Sequence, residues 1–274
     1  MNLRPRIGLR LSRESFPVRE GIRLAKAAGC DAVQAEITPG GEITPDLSRS
    51  GRREFRHLLE KYGLALSALA VRTGKDFADP AAAERAAASL VRAVALAGDI
   101  GAPVVTLAPV EVPEEGAGAD ALHFILRTLV AAGEPAGVRI APGTGTAAPE
   151  ILEALDKALH GTIGFNLDPA ADILAGRSPG GTARRIARKV VHVQARDARR
   201  GEGDPAKGVR CVLGEGAADV PVLARILLEA DYEGFWTVGP EPGDDPAKAV
   251  KQAANFLRRL EMPSDPDSTF TFRG

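Results

Sequence analysis

Cysteine, histidine and net charge are all scarce in this sequence, and each shortage excludes something. The two cysteines, Cys30 and Cys211, lie far apart with no CxxC or Cys/His spacing around them, so neither a disulfide framework nor a zinc motif is present. They read as buried or incidental thiols, which suits a reducing, cytoplasmic compartment. The 35 Lys and Arg nearly cancel 36 Asp and Glu, leaving a formal net charge of -1, and no nucleic-acid partner is implied. Basic residues are locally dense at 184–189 and 196–200, a pattern that marks a solvated helix face or loop. No run approaches the roughly 18 apolar residues of a membrane span, and the first residues lack the apolar stretch of a secretory signal. A soluble protein with no membrane partner is expected. The turn after the opening strand, Leu11-Ser12-Arg13-Glu14-Ser15, has no glycine, so the phosphate loop of an open dinucleotide-binding sheet is missing.

What is present is alternation. Short β-branched or apolar runs at 7–11, 32–37, 64–71, 104–108, 138–141, 163–167, 190–195 and 235–238 alternate with alanine-rich stretches of helical period, as βα units of a parallel sheet do. Apolar residues recur three or four apart between them, as in Val18, Ile22 and Ala25 or Leu90, Val94 and Ala97, and each stripe should face the strands. Pro17 opens one helix, and Gly29, Gly63 and Gly101 each close one. Eight such units in 274 residues predict an α/β fold, one (β/α)₈ barrel over residues 1–262, which takes about 250 residues. Residues 263–274 lose the period and gather turn formers, predicting a flexible tail.

In such a barrel chemistry sits at the C-terminal strand ends. The later four end in Ala141-Pro142-Gly143-Thr144, Phe165-Asn166-Leu167-Asp168-Pro169, His192-Val193-Gln194-Ala195-Arg196-Asp197 and Val238-Gly239-Pro240-Glu241. With Leu47-Ser48, Gly214-Glu215-Gly216 and Tyr232-Glu233-Gly234, these segments resemble, over nearly the whole chain, the xylose-isomerase-like sugar phosphate isomerase/epimerase family. That resemblance implies one divalent metal (Mn, Mg, Zn or Co) held by Glu, Asp, His and Glu at the ends of strands five to eight. The metal polarises sugar oxygens while the glutamates move a carbon-bound proton. The matching positions here are Gly143, Asp168, Gln194 and Gly239, so only Asp168 keeps a family ligand. Losing a general base costs about 10²–10⁴ in rate, and one carboxylate beside a neutral amide is a poor divalent site. A degenerate metal site, and no cofactor, are the expectations.

Other strand-end residues carry two readings each. Asp168 fits a ligand or the cap of a following helix. Glu241, two residues past Gly239, could take over the missing carboxylate's role or simply be solvated. His192 fits a hydrogen-bonded core histidine better than a ligand. Glu36 and Glu111 could bind hydroxyls, and Arg196 and Arg200 phosphate or other polar groups; solvated charge is the plainer reading of all four. Trp236 could stack on a sugar face or fill the core. The backbone of Gly214-Glu215-Gly216 could cradle phosphate or merely turn. The histidines His57, His123, His160 and His192 are too few for the related multi-metal DNA-repair endonucleases. The resemblance and the lost ligands together imply a family barrel that is catalytically impaired or binds a carbohydrate-like small molecule. An active isomerase with a rearranged site and a structural homo-oligomer are the alternatives.

Overall fold

The computed structural model describes residues 4–11, 16–38, 40–73, 79–109, 112–113, 115–145, 147–201, 203, 208–240, 245–261 and 271–272. The strands are β1 (Arg6–Arg10), β2 (Ala32–Ile37), β3 (Ala65–Val71), β4 (Val104–Pro109), β5 (Arg139–Gly143), β6 (Phe165–Leu167), β7 (Val190–Gln194), β8 (Asp197–Arg199), β9 (Val209–Cys211), β10 (Phe235–Val238), β11 (Leu260–Glu261) and β12 (Thr271–Phe272). The helices are α1 (Val18–Ala27), α2 (Arg49–Tyr62), α3 (Ala83–Ile100), α4 (Ala117–Gly133), α5 (Pro149–Ala158), α6 (Pro169–Leu174), α7 (Pro179–Ile186), α8 (Val220–Leu228) and α9 (Pro246–Arg259). Eight strands close into a barrel in the order β1-β10-β7-β6-β5-β4-β3-β2, every pairing parallel. These are the eight strands expected, each within two residues at either end.

Local chemistry sets the boundaries. Ser48 accepts the Gly51 amide at 3.1 Å and caps α2, supplying one of the acceptors that free helix amides require. Gly63 and Gly101 close α2 and α3 at φ of 63° and 82°, a left-handed turn that a Cβ would oppose. The apolar stripes then pack as expected: Leu122, Ile125, Leu126 and Leu129 of α4 are fully buried and share one core with strand residues such as Leu9, Val33, Leu69 and Leu107. Among the described residues, no helix is long and apolar enough to cross a membrane.

Two features depart from simple βα alternation. After β7 the chain forms a small antiparallel sheet, β8 with β9, in the register Asp197↔Cys211 and Arg199↔Val209. Part of the basic run 196–200 is therefore extended strand. At the other end β12 pairs antiparallel with β11; the remaining tail residues lie outside the described set.

Candidate functional site

Strand polarity gathers the C-terminal ends of all eight strands at one mouth, and a cleft of about 500 Å³ opens there. Asp168, Gln194 and Gly239 line it, while Gly143 ends β5 in register with Asn166, itself a lining residue. The four positions therefore stand on the neighbouring strand ends of β5, β6, β7 and β10. A Cβ built on Gly239 would meet nothing within 4 Å, so that position opens onto space.

Below the mouth the barrel interior is polar and internally bonded. Gln194 donates from Nε2 to Gln34 Oε1 at 2.8 Å, and Gln34 donates from Nε2 to Thr106 Oγ1 at 3.0 Å. His192 bonds Asn166 Oδ1 through Nδ1 at 2.8 Å and Thr237 Oγ1 through Nε2 at 2.9 Å. Burial, helped by the nearby Arg10 charge, pushes His192 down to about 3, so the imidazole is neutral. With both nitrogens engaged it behaves as a network member. Gln194 Oε1, in a side chain only 3% exposed, has no protein hydrogen-bond partner.

The strand-end carboxylates are held by arginines. Glu36 accepts from Arg10 Nε at 3.2 Å, Arg10 Nη2 at 2.9 Å and Arg72 Nε at 2.7 Å. Burial opposes its ionisation, but the two guanidiniums outweigh that and hold Glu36 below the usual carboxylate range. Asp168 is ion-paired with Arg196 and also accepts the Ala171 amide at 3.2 Å, capping α6. Cap and cleft residue are one side chain.

Other expected residues fall elsewhere. Trp236 is 2% exposed and belongs to the apolar core, while Arg200 is exposed and absent from the cleft lining. Glu111 and Glu241 lie outside the described residues. The Gly214-Glu215-Gly216 backbone is not open to phosphate: Asp197 Oδ2 takes the Gly214 and Gly216 amides at 3.1 and 2.9 Å, and Asp197 Oδ1 takes Ala198 and Ala218 at 2.8 and 3.0 Å. Asp197 is 1% exposed and pins the loop behind β9.

Sequence reasoning missed Asp197, together with the cleft arginines Arg10, Arg72 and Arg210. Arg10 and Arg72 had a legible signal, a charged residue at the end of an apolar strand run. Arg210 had none, since nothing local announces the β8–β9 sheet that carries it.

Among the described residues no three His, Cys, Asp or Glu gather as a metal site. Around Asp168 stand the neutral amides Asn166 and Gln194 and the cation Arg196, so the described donors do not complete the family's site.

A closed parallel barrel with its polar cleft at the C-terminal strand ends belongs to the class of α/β barrels that carry their sites on that face. Residues 22–260 match the family described as xylose isomerase-like TIM barrel, and the chain belongs to it. It is similar to a xylose isomerase domain protein from Planctomyces limnophilus, with 21% identity, TM-score 0.78, and 93% of this chain and 95% of that chain covered. A xylose isomerase-like TIM barrel protein from Mycobacterium smegmatis, solved in complex with magnesium, is 18% identical with TM-score 0.69 over 87% of this chain and 86% of that one. A sugar phosphate isomerase/epimerase from Parabacteroides distasonis is 13% identical with TM-score 0.69, covering 93% and 94%. No curated protein matches the sequence.

The magnesium complex corrects one expectation, that no cofactor accompanies this barrel. Counting strand-end ligands is too strict a test, because Mg²⁺ keeps several waters and is commonly bound through only one or two carboxylates. The absence of a cofactor therefore does not follow from the strand-end side chains alone.

Proposed function

We propose that this barrel binds a carbohydrate-like small molecule at its mouth and that its isomerase or epimerase turnover is impaired. The observation that carries this reading is a polar cleft lined by Gly239, with Gly143 at the end of nearby β5, where the family pattern has acid–base glutamates. Glycine has no group that can take a proton from carbon. His192 is neutral but bonded at both nitrogens, and Asp168 is held by Arg196 and the α6 amide. The loss of a positioned base lowers rates by about 10²–10⁴, whichever ion the mouth takes up. The likeness to a sugar phosphate isomerase/epimerase supports the ligand class. A structural oligomer has less support: among the described residues the only large hydrophobics exposed are Phe124 and Val209, too few for an extended apolar face.

The test is calorimetric titration with D-xylose and D-fructose, with and without magnesium, alongside proton exchange at carbon in deuterated water followed by NMR. Binding that Gln194→Leu weakens at least tenfold, with negligible exchange, is the expected result. Turnover near a typical enzyme rate of about 10 per second would overturn the impairment, and absence of binding to either sugar would overturn the ligand class.

A further inference from the structure

Away from the mouth, an open groove of about 720 Å³ runs between α2 and α3, lined chiefly by Arg49, Arg52, Arg53 and Arg56 of α2 and by Gly98 and Asp99 of α3. None of these residues lines the mouth cleft. Positions 49, 53 and 56 are four and three residues apart, so their side chains stand on one face of the helix. The stripe spans about 10 Å at 1.5 Å per residue. All three arginines are exposed, and among the described residues their guanidiniums have no hydrogen-bond or ion-pair partner. Arg52 differs. Its Nε donates to Leu47 O at 2.8 Å, its Nη2 to Pro45 O at 2.9 Å and its Nη1 to Asp99, so it anchors the turn before α2.

An ordinary solvated helix face would neutralise such a stripe with the acids around it. Here the acids of α2, of the turn before it and of the facing end of α3 are each turned to another group. Glu54 pairs with Arg19, Asp46 with Arg92 and Asp99 with Arg52, and Glu60 faces His57 at 3.8 Å. Like charges three and four residues apart destabilise a helix, so the stability of the fold does not call for the stripe. Arginine is enriched where protein surfaces meet.

Two features select the occupant. The side chains of Asp46 and Glu60 are 80% and 75% exposed and flank the stripe in sequence on either side. They would repel a polyanion running on past it, such as a nucleic-acid backbone, whereas a short acidic segment meets no such penalty. The three guanidiniums are also unpinned, while a site for a small anion holds its arginines in a preset fork. We propose that the α2–α3 groove docks an acidic helix of a partner protein, whose carboxylates, spaced three and four residues apart, meet Arg49, Arg53 and Arg56.

The experiment measures fluorescence anisotropy of a labelled, helix-stapled, alanine-based peptide with three glutamates at that spacing, titrated with the full chain at 50 and 500 mM NaCl. A peptide with glutamine in place of glutamate and a short DNA duplex are the comparisons. At low salt the glutamate peptide binds at least tenfold more tightly than the glutamine peptide, and the advantage shrinks at high salt. Arg49→Gln, Arg53→Gln and Arg56→Gln each weaken it at least threefold without lowering the melting temperature, whereas Arg184→Gln on α7 changes nothing. Equal binding of the two peptides, or no binding of either, would overturn the proposal, as would three arginine variants that bind like the parent. Duplex DNA binding more tightly than the glutamate peptide, and losing that binding with the same arginines, would assign the groove to nucleic acid instead. Light scattering on the chain alone separates the last case: self-association abolished by Arg53→Gln would make the occupant a second copy and overturn the partner assignment.

Discussion

The shell between helices and strands and the inside of the barrel are built from opposite materials. The shell is mostly apolar: α4 alone contributes Leu122, Ile125, Leu126 and Leu129, all without exposure. The interior near the mouth is equally buried yet carries Gln34, Thr106, Asn166, His192, Gln194 and Thr237. Burial in the shell is favourable by itself, at about 25 cal/mol per Å². In the interior it is tolerable only because nearly every polar atom has a partner. The shell therefore holds the fold, and the interior presents donors and acceptors to the cleft.

The sharpest way to break the comparison is to cut into each region once. Leu126→Ala removes a fully buried α4 side chain and should cost about 2–5 kcal/mol by transfer and cavity terms, read by urea denaturation with the cleft's binding preserved. His192→Leu has similar volume but leaves Asn166 Oδ1 and Thr237 Oγ1 without their bonds. It should cost about 1–3 kcal/mol and weaken binding at the mouth as well. If both variants lost only stability, the division of labour between shell and interior would fail.

A smaller effect should appear in the pH dependence. Asp172 in α6 is fully buried, its oxygens lack hydrogen-bond partners, and Arg177 Nε stands 3.7 Å away. Burial pushes its carboxyl up to about 7 from the ordinary 3.8, with Arg177 only partly offsetting this. The folded state then binds more protons than the unfolded chain, so this group removes stability as pH rises from about 4 to 7. His192 acts oppositely: its depressed value means stability present above 6.5 is lost as pH falls toward about 3. The two slopes oppose each other between roughly pH 4 and 6.5. Asp172→Asn should unmask the histidine's slope and raise stability at pH 8 by on the order of 1 kcal/mol, measured by thermal melts from pH 4 to 8. An unchanged profile would show that Asp172 does not titrate as described.

Much of this was legible because it is periodic. The α4 stripe, the β7 run around His192 and the glycine ends at Gly63 and Gly101 each announce their element through nearest neighbours in sequence, since helix and strand periods are local properties. The positions Gly143, Asp168, Gln194 and Gly239 came from laying the family resemblance on the ends of those runs. Asp197 was not, because its value comes from amides at Gly214, Gly216 and Ala218, far along the chain. The expectation of no cofactor failed for a related reason: a list of side chains cannot count the waters and carbonyls that complete an ion's shell.

By itself the sequence determined the barrel, its strand boundaries and the family, all of which follow from alternating local periods and strand-end motifs. Only the tertiary structure decided that Arg10 and Arg72 share Glu36, that Arg196 faces Asp168 and that Arg210 joins them at one cleft. The arginines lie on β1, just past β3, just past β7 and on the β8–β9 sheet, and their acids on β2 and just past β6; closure of the barrel brings together charges that no local pattern relates.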